Sequence, residues 1–281
     1  MKYSALAAVA FVLFVSAVSA PARDQSPPPI SPAAAQSTPE QHAPPTQHVV
    51  SAFQAAVIQG SALMSLKDYD GAAQVYTKLL HDDPKNATVW NLLGVVLQQS
   101  GQTDQARSAY QRAIKFNHSF AEAYNNIGTT WYQQQRYRKA ERAYDKAVAL
   151  DPNLATAYSN MGCAYFSEKK MPEALDAFNK AFTLDPNVFA MSSHAGTILQ
   201  DRSVSDHGAF YFLLAKSYAQ RSDAANCAEY LRKAYDEGYK NIVAVKTDPS
   251  FAKVLADPGV QAILEKATAN VAATTPPAPG T

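Results

Sequence analysis

The stretch WNLLGVVLQQSGQTDQARSAYQRA, residues 90–113, decides the fold of this chain. Its first half places small or apolar residues on one helical face, because their offsets follow the 3.6-residue turn: Trp90, Leu93, Gly94 and Leu97. A Ser-Gly turn signal follows at 100–101. The second half carries another helical face, made by Ala106, Tyr110 and Ala113. The stretch therefore predicts two short helices joined by a tight turn.

The same pattern recurs every 34 residues from Phe53 onward. Position eight of four consecutive units is glycine: Gly60, Gly94, Gly128 and Gly162. Position twenty is alanine: Ala72, Ala106, Ala140 and Ala174. Position twenty-four is aromatic: Tyr76, Tyr110, Tyr144 and Phe178. Self-similarity at such a period is typical of a repeat array. Because a lone helix of about 13 residues is marginal in water, each hairpin must bury its outer face against a neighbour.

The spacing W-x2-L-G-x2-L followed by A-x3-Y-x2-A resembles the tetratricopeptide repeat. The resemblance implies an all-α fold, a right-handed α-solenoid of stacked antiparallel helix hairpins. Four repeats fill residues 49–188, with units at 53–86, 87–120, 121–154 and 155–188. The aromatic residues at position four, Trp90, Tyr124 and Tyr158, and the tyrosines at position twenty-four are expected to be core residues.

The phase breaks after residue 188, and the remaining boundaries follow from composition and turn signals. We expect an irregular insertion at 189–207, a fifth and divergent repeat at 208–241, and a disordered tail at 270–281. The stretch 242–269, with Asp-Pro pairs at 248–249 and 257–258, predicts two short helices. It looks like the helical cap of some bacterial tetratricopeptide proteins.

The first 22 residues are typical of a signal peptide, with Lys2 before an uncharged run and small residues near the predicted cut after Ala22. Residues 23–48 hold seven prolines and are expected to form a disordered linker. The sequence thus predicts export to the periplasm or exterior and no integral membrane span after leader removal. An uncleaved N-terminal anchor is the alternative.

Composition argues against several classes of function. The formal net charge is +1, which gives no general attraction to nucleic acid. The six histidines show no metal-ligand spacing, and no phosphate-binding glycine loop or nucleophile elbow occurs. Cys163 and Cys227, the only cysteines, are expected to be small core residues. We therefore expect no catalytic residues, no metal and no cofactor.

The resemblance implies that positions two, five, six, nine and twelve of each first helix line a concave groove that holds a protein or peptide partner. The predicted groove residues are Asn91, Gln98, Glu122, Asn125, Asn126, Thr129, Tyr132, Ser159, Asn160 and Phe166. Thr88, Val95, Thr156 and Cys163 occupy the same positions. Asn side chains offer a donor and an acceptor to a peptide backbone. Asn126 and Asn160 could equally be ordinary surface residues.

A receptor for a partner's C-terminal carboxylate is disfavoured, because Val57, Asn91, Asn126 and Thr156 stand where that mode needs Lys or Arg. Lys216 is the main cation expected on the inner face. Two other functions stay open. The 189–207 insertion could be the active element of an accessory or enzymatic protein, or the chain could be an architectural envelope component or a self-associating stack.

Overall fold

The computed structural model describes residues 51–189 and 206–274. Within these ranges the chain forms eleven α-helices, two short 3-10 turns and no strand. The helices are α1 (Ala52–Ser65), α2 (Tyr69–Asp82), α3 (Ala87–Gln99), α4 (Thr103–Phe116), α5 (Ala121–Gln133), α6 (Tyr137–Leu150), α7 (Ala155–Ser167), α8 (Met171–Leu184), α9 (His207–Gln220), α10 (Ala224–Asp236) and α11 (Pro258–Thr274). The 3-10 turns are Ile242–Lys246 and Pro249–Phe251.

Consecutive helices pair as hairpins, α1 with α2 through α9 with α10. The second helix of each hairpin then packs against the first helix of the next one. This confirms the predicted all-α array of stacked hairpins. The predicted signal peptide, linker and most of the 189–207 insertion lie outside the described residues.

The turn inside every hairpin places repeat position fifteen in the left-handed region of backbone space. These residues are Lys67, Gly101, Gln135, Lys169 and Ser222, with φ between 58° and 83°. Only one of them is the glycine that this conformation favours. Side-chain caps also mark helix starts. Ser51 and Gln54 form a capping box at α1, and Asp68 and Asn86 cap α2 and α3.

The glycine at position eight makes room for the aromatic ring at position twenty-four of the same repeat. A Cβ atom added at Gly128 would collide with the ring of Tyr144, and one at Gly162 with the ring of Phe178. The sequence predicted that glycine lets the two helices cross closely. The structure adds that the ring itself occupies the space over the glycine.

Ring burial differs between the two aromatic positions. Tyr76, Tyr110, Tyr144 and Phe178 at position twenty-four are each at most 1% exposed. Trp90, Tyr124 and Tyr158 at position four are half-buried, and Trp90 and Tyr158 pack against the buried core, which confirms the predicted packing of these two rings without full burial. Their rings border the core, and the indole of Trp90 donates a hydrogen bond to the Pro84 carbonyl at 2.9 Å.

The stack continues across the break in phase. Phe166 of α7 meets Phe210 of α9 edge to face at 5.5 Å between ring centroids, and Phe182 of α8 lies 4.4 Å from Tyr218 of α9. Aromatic packing of this kind joins the fourth and fifth hairpins directly. The α9 helix begins at His207 behind the cap residue Asp206. The insertion therefore ends before residue 206.

The C-terminal cap departs from the expected pair of short helices. Asp248 caps a single 3-10 turn, whereas Asp257 accepts from the backbone of Gly259 and Val260 at the start of a 17-residue helix. That helix, α11, packs on α10 and reaches Thr274. The predicted start of a disordered tail at 270 was therefore too early.

Candidate functional site

The predicted groove residues lie on α3, α5 and α7, the first helices of three consecutive hairpins. Nine of the ten are at most 5% exposed, and only Glu122 is half-buried. The enclosed residues are Asn91, Gln98, Asn125, Asn126, Thr129, Tyr132, Ser159, Asn160 and Phe166. The expectation that these side chains present an open surface is therefore not met.

Four asparagines connect to one another across three repeats, and we name Asn91, Asn126, Asn125 and Asn160 the amide ladder. The Asn126 amide donates to Asn91 Oδ1 at 3.0 Å, and the Asn160 amide donates to Asn125 Oδ1 at 2.9 Å. Asn125 in turn donates to Asn126 Oδ1 at 3.3 Å. Each amide can both donate and accept, so a row of them satisfies its own buried polar atoms.

A second set of polar contacts runs beside the amide ladder. Gln98 donates through Nε2 to the Thr129 hydroxyl at 2.9 Å and accepts from the Tyr110 hydroxyl at 2.8 Å. Tyr132 lies 2.8 Å from the Ser167 hydroxyl of the next repeat. These bonds join repeats two, three and four through side chains. Sequence reasoning missed them because it assigned the same residues to a partner.

The inner face of α3, α5 and α7 also carries side chains that solvent can reach, and these lie between the buried residues. Thr88 is exposed, while Val95, Glu122 and Thr156 are half-buried. Phe166 belongs to the aromatic core with Phe210, so its prediction as a partner anchor needs correction. The surface is nearly free of charge and lies over the amide ladder, and the hydroxyl of Thr156 is buried without a hydrogen-bond partner among the described residues.

Lys216, expected to be the main inner-face cation, is already paired. Its ammonium donates to Asp248 Oδ2 at 2.8 Å, and both side chains are about three-quarters buried. Burial disfavours the charged form of Asp248 and so raises its pKa. The hydrogen bonds from Lys216 and Ser250 outweigh this effect, so the pKa of this carboxyl lies below its ordinary value. The cation therefore ties α9 to the C-terminal cap.

Tyr144 carries a fully buried hydroxyl that has no hydrogen-bond partner in residues 51–189 and 206–274. The equivalent Tyr110 donates to Gln98 at position twelve of its repeat. In the next repeat position twelve is Tyr132, whose hydroxyl reaches Ser167 instead. Burial raises the pKa of Tyr144 well above its ordinary value. The change from Gln to Tyr at position twelve was the sequence signal for this orphaned group.

Two carboxylates share one ammonium between the third and fourth hairpins. Lys170 donates to Glu141 at 2.9 Å and lies 2.5 Å from a Glu168 oxygen. The hydrogen bond from Lys170 lowers the pKa of Glu168, whereas burial and the nearby Glu168 raise that of Glu141. The two partners in turn raise the pKa of Lys170. This network is structural, and no sequence motif predicted it.

Groups suited to metal binding do not gather in residues 51–189 and 206–274. Over the same ranges, no helix is long and apolar enough to cross a membrane. Cys163 and Cys227 form no disulfide within the described residues and both are buried, which confirms that they are small core residues. Burial raises the pKa of the Cys227 thiol to about 12.

Comparisons with known proteins agree with this architecture. Residues 75–187 match the family model described as the cytochrome c-type biogenesis protein H TPR domain, and residues 48–87 match a tetratricopeptide repeat model. No curated protein gives a significant match.

Several solved structures are similar at low identity. MamA is 23% identical, with a TM-score of 0.44 over 65% of this chain and 95% of that one. PilF of Pseudomonas aeruginosa is 19% identical, with a TM-score of 0.49 over 80% and 92%. The first TPR domain of Spaghetti (RPAP3), bound to an HSP90 peptide, is 25% identical, with a TM-score of 0.36 over 40% and 86%.

The family assignment rests on the two models, which overlap at residues 75–87 and fall on the helices that carry the 34-residue period. The glycine and aromatic positions of that period are the ones that meet inside each hairpin. These matches identify residues 48–187 as tetratricopeptide repeats.

Proposed function

We propose that this chain is a non-catalytic scaffold that binds a partner protein or peptide on the inner face of α3, α5 and α7, outside the cytoplasm. The observation that supports it is the amide ladder, which crosses three repeats without a charged side chain. Buried side-chain hydrogen bonds between repeats hold their helices in one arrangement. Such an arrangement offers a preorganised surface to a guest.

The residues that would touch the guest are a small part of those expected from sequence. Thr88, Val95, Glu122 and Thr156 are accessible to different degrees, and Asn91 ends the amide ladder at 5% exposure. The Asn91 amide nitrogen has no hydrogen-bond partner among the described residues. A backbone carbonyl of a bound peptide could accept a hydrogen bond from the Asn91 amide nitrogen, while Val95 supplies an apolar contact.

The proposed location rests on the leader-like residues 1–22. Processing after Ala22 would give a mature protein that begins with Arg23. Mass spectrometry of the protein isolated from a cell fractionation measures that terminus directly. An intact Met1 on protein recovered from the cytoplasm would contradict the proposed location.

Site-specific photo-crosslinking tests the binding surface. A photoreactive residue at Val95 should give a discrete adduct with a partner in cells, while one at Gln111 on the exposed side of α4 serves as the matched control. A photoreactive residue at Thr88 should give the same adduct, and adding Val95→Glu to that variant should abolish it. Both results would support binding of the partner on the inner face. An adduct that forms equally from Gln111 would remove this face from consideration.

A further inference from the structure

The first helix of the array has two apolar faces. One packs on α2, where Gly60 lies against the ring of Tyr76. The other carries alternating small and large side chains at helical spacing, and we name it the outer stripe of α1: Ala55, Ile58, Ala62 and Leu66. All four are exposed, with Ile58 at 61% and Leu66 at 77%. The outer stripe is thus an apolar surface in contact with solvent.

The later repeats show what normally covers this surface. Repeat positions three and ten, held by Ala55 and Ala62 in α1, are at most 1% exposed in every following hairpin. Those residues are Val89, Val96, Ala123, Thr130, Ala157, Ala164, Phe210 and Ser217. They are buried in α3, α5 and α7 where the second helix of the preceding hairpin packs. Ala55 and Ala62 of the outer stripe therefore mark a repeat interface without its helix.

Exposed apolar ends are unusual for repeat arrays, whose terminal units normally present a polar outer face. The C-terminal end of this array meets that rule, because α11 covers α10 and exposes Glu265 and Lys266. Among the described residues, the large apolar side chains that are exposed are Phe53, Ile58 and Leu66, all at the N-terminal end. The asymmetry points to a helix that docks at this end alone.

The chain's own flanking segments are poorly suited to supply that helix. Residues 23–48, next to α1, contain seven prolines, and residues 276–279 contain three. Proline in a helix interior removes a backbone hydrogen bond and clashes with the preceding turn. These two segments are therefore poor sources of the missing helix, whereas a second molecule can supply one.

Charge and shape favour a second copy of the same helix. Residues 49–66 contain no charged side chain, so two copies of α1 meet without repulsion. Head-to-tail stacking would instead place the outer stripe against Glu265 and Lys266 of α11. In an antiparallel pair with a two-fold axis near residue 60, Leu66 faces Ala55 of the second copy. Ile58 likewise faces Ala62 of the second copy, so each large side chain meets a small one.

We propose that the outer stripe of α1 is a self-association surface that pairs two copies of this chain through antiparallel α1 helices. The contact is isologous, as in most homodimers. A helix of 14 residues is about 21 Å long, so the contact lies at the small end of specific interfaces. The resulting dimer is reversible and depends on protein concentration.

Sedimentation equilibrium of the full-length protein over a wide concentration range tests the pairing. Wild type should pass from monomer to dimer, and Ile58→Glu should raise the dissociation constant by about 100-fold or more, because it places two uncompensated charges in an apolar contact. Gln111→Glu adds the same charge at an exposed site on α4 and should change it less than about twofold. Helical circular dichroism verifies that each variant is folded.

Ala62→Leu separates the proposed geometry from general hydrophobic adhesion. The added side chain fills the space that Ile58 of the second copy needs, so the dimer should weaken by about tenfold or more. Adhesion without register would instead strengthen as apolar surface is added. A chain that stays monomeric at all concentrations, a dimer indifferent to Ile58→Glu, or a dimer tightened by Ala62→Leu would each overturn the proposal. None of these results depends on partner binding at Val95.

Discussion

Replacing the position twenty-four tyrosines by phenylalanine should have opposite effects in adjacent repeats. Tyr110→Phe removes the 2.8 Å hydrogen bond to Gln98, whose oxygen is buried. Tyr144→Phe removes a buried hydroxyl that has no partner. Both rings remain over their glycines, and Phe178 shows that the position accepts phenylalanine.

The expected magnitudes follow from the surroundings of each hydroxyl. A buried hydrogen bond contributes about 0.5 to 1.5 kcal/mol net, and Gln98 Oε1 would keep only a longer bond of 3.4 Å from the Thr129 hydroxyl, so Tyr110→Phe should cost about 1 kcal/mol. Removing an unsatisfied hydroxyl recovers a desolvation penalty of about 1 to 3 kcal/mol, from which the small void left behind subtracts. Tyr144→Phe should therefore stabilise the protein by about 1 kcal/mol.

Urea unfolding followed by circular dichroism measures both changes. The midpoints should move in opposite directions with unchanged slopes, since a changed slope signals altered cooperativity rather than altered stability. Thermal midpoints should separate by several degrees, because about 1 kcal/mol shifts a chain of this size by about 2 to 4 °C. Equal destabilisation by both substitutions would refute the reasoning, because it would mean that the Tyr144 hydroxyl is satisfied in solution.

Three further outcomes follow from particular residues. Gln135→Gly, at a left-handed position, should stabilise the protein by about 0.5 to 1 kcal/mol in the same urea assay, because glycine adopts this φ without strain. In wild type the lowered pKa of Glu168 stabilises the protein, and this stabilisation is lost as the pH falls through that pKa. Lys170→Met removes the shared ammonium, so Glu141 and Glu168 face each other and their pKa values are raised. That variant should be less stable by about 1 to 2 kcal/mol at pH 7 and should regain stability on acidification towards pH 5, as thermal unfolding at both pH values would show. Cys227, with a buried thiol of pKa about 12, should react with a thiol reagent at pH 8 only after unfolding, and rapid labelling of the native protein would contradict its burial.

The hairpin array was predictable because its determinants are local and periodic. A glycine at position eight and a ring at position twenty-four recur in one phase, and the structure places that ring over that glycine. Even the fifth unit, which has Gly208 at its start and lacks the full motif, packs as a hairpin of α9 and α10. Small and large residues in register carry enough information to specify this packing.

Exposure at the site was not predictable in the same way, because it depends on the neighbouring repeats. Asn125 and Asn126 occupy positions that the family resemblance assigns to a ligand, yet they bond to Asn160 and Asn91. The sequence shows which side chains share a helix but does not show whether an amide pairs with the next repeat. Trp90 illustrates the same limit, since its position predicted core packing, which the structure shows, but did not show that the ring would be only partly buried.

The bonds between repeats are directional, and this property links the polar interior to the apolar end. Asn126 bonds to Asn91 and Asn160 bonds to Asn125, so position six of one repeat donates to position five of the repeat before it, twice at a separation of 35 residues. Position six of α1 is Ile58, an apolar residue with no repeat before it. The polar connection ends at Asn91 because position six of α3 is Leu92 and position five of α1 is Val57, and α1 presents hydrocarbon at Ile58. A surface of that kind favours a partner helix that brings apolar side chains and no polar group to satisfy, as a second α1 does.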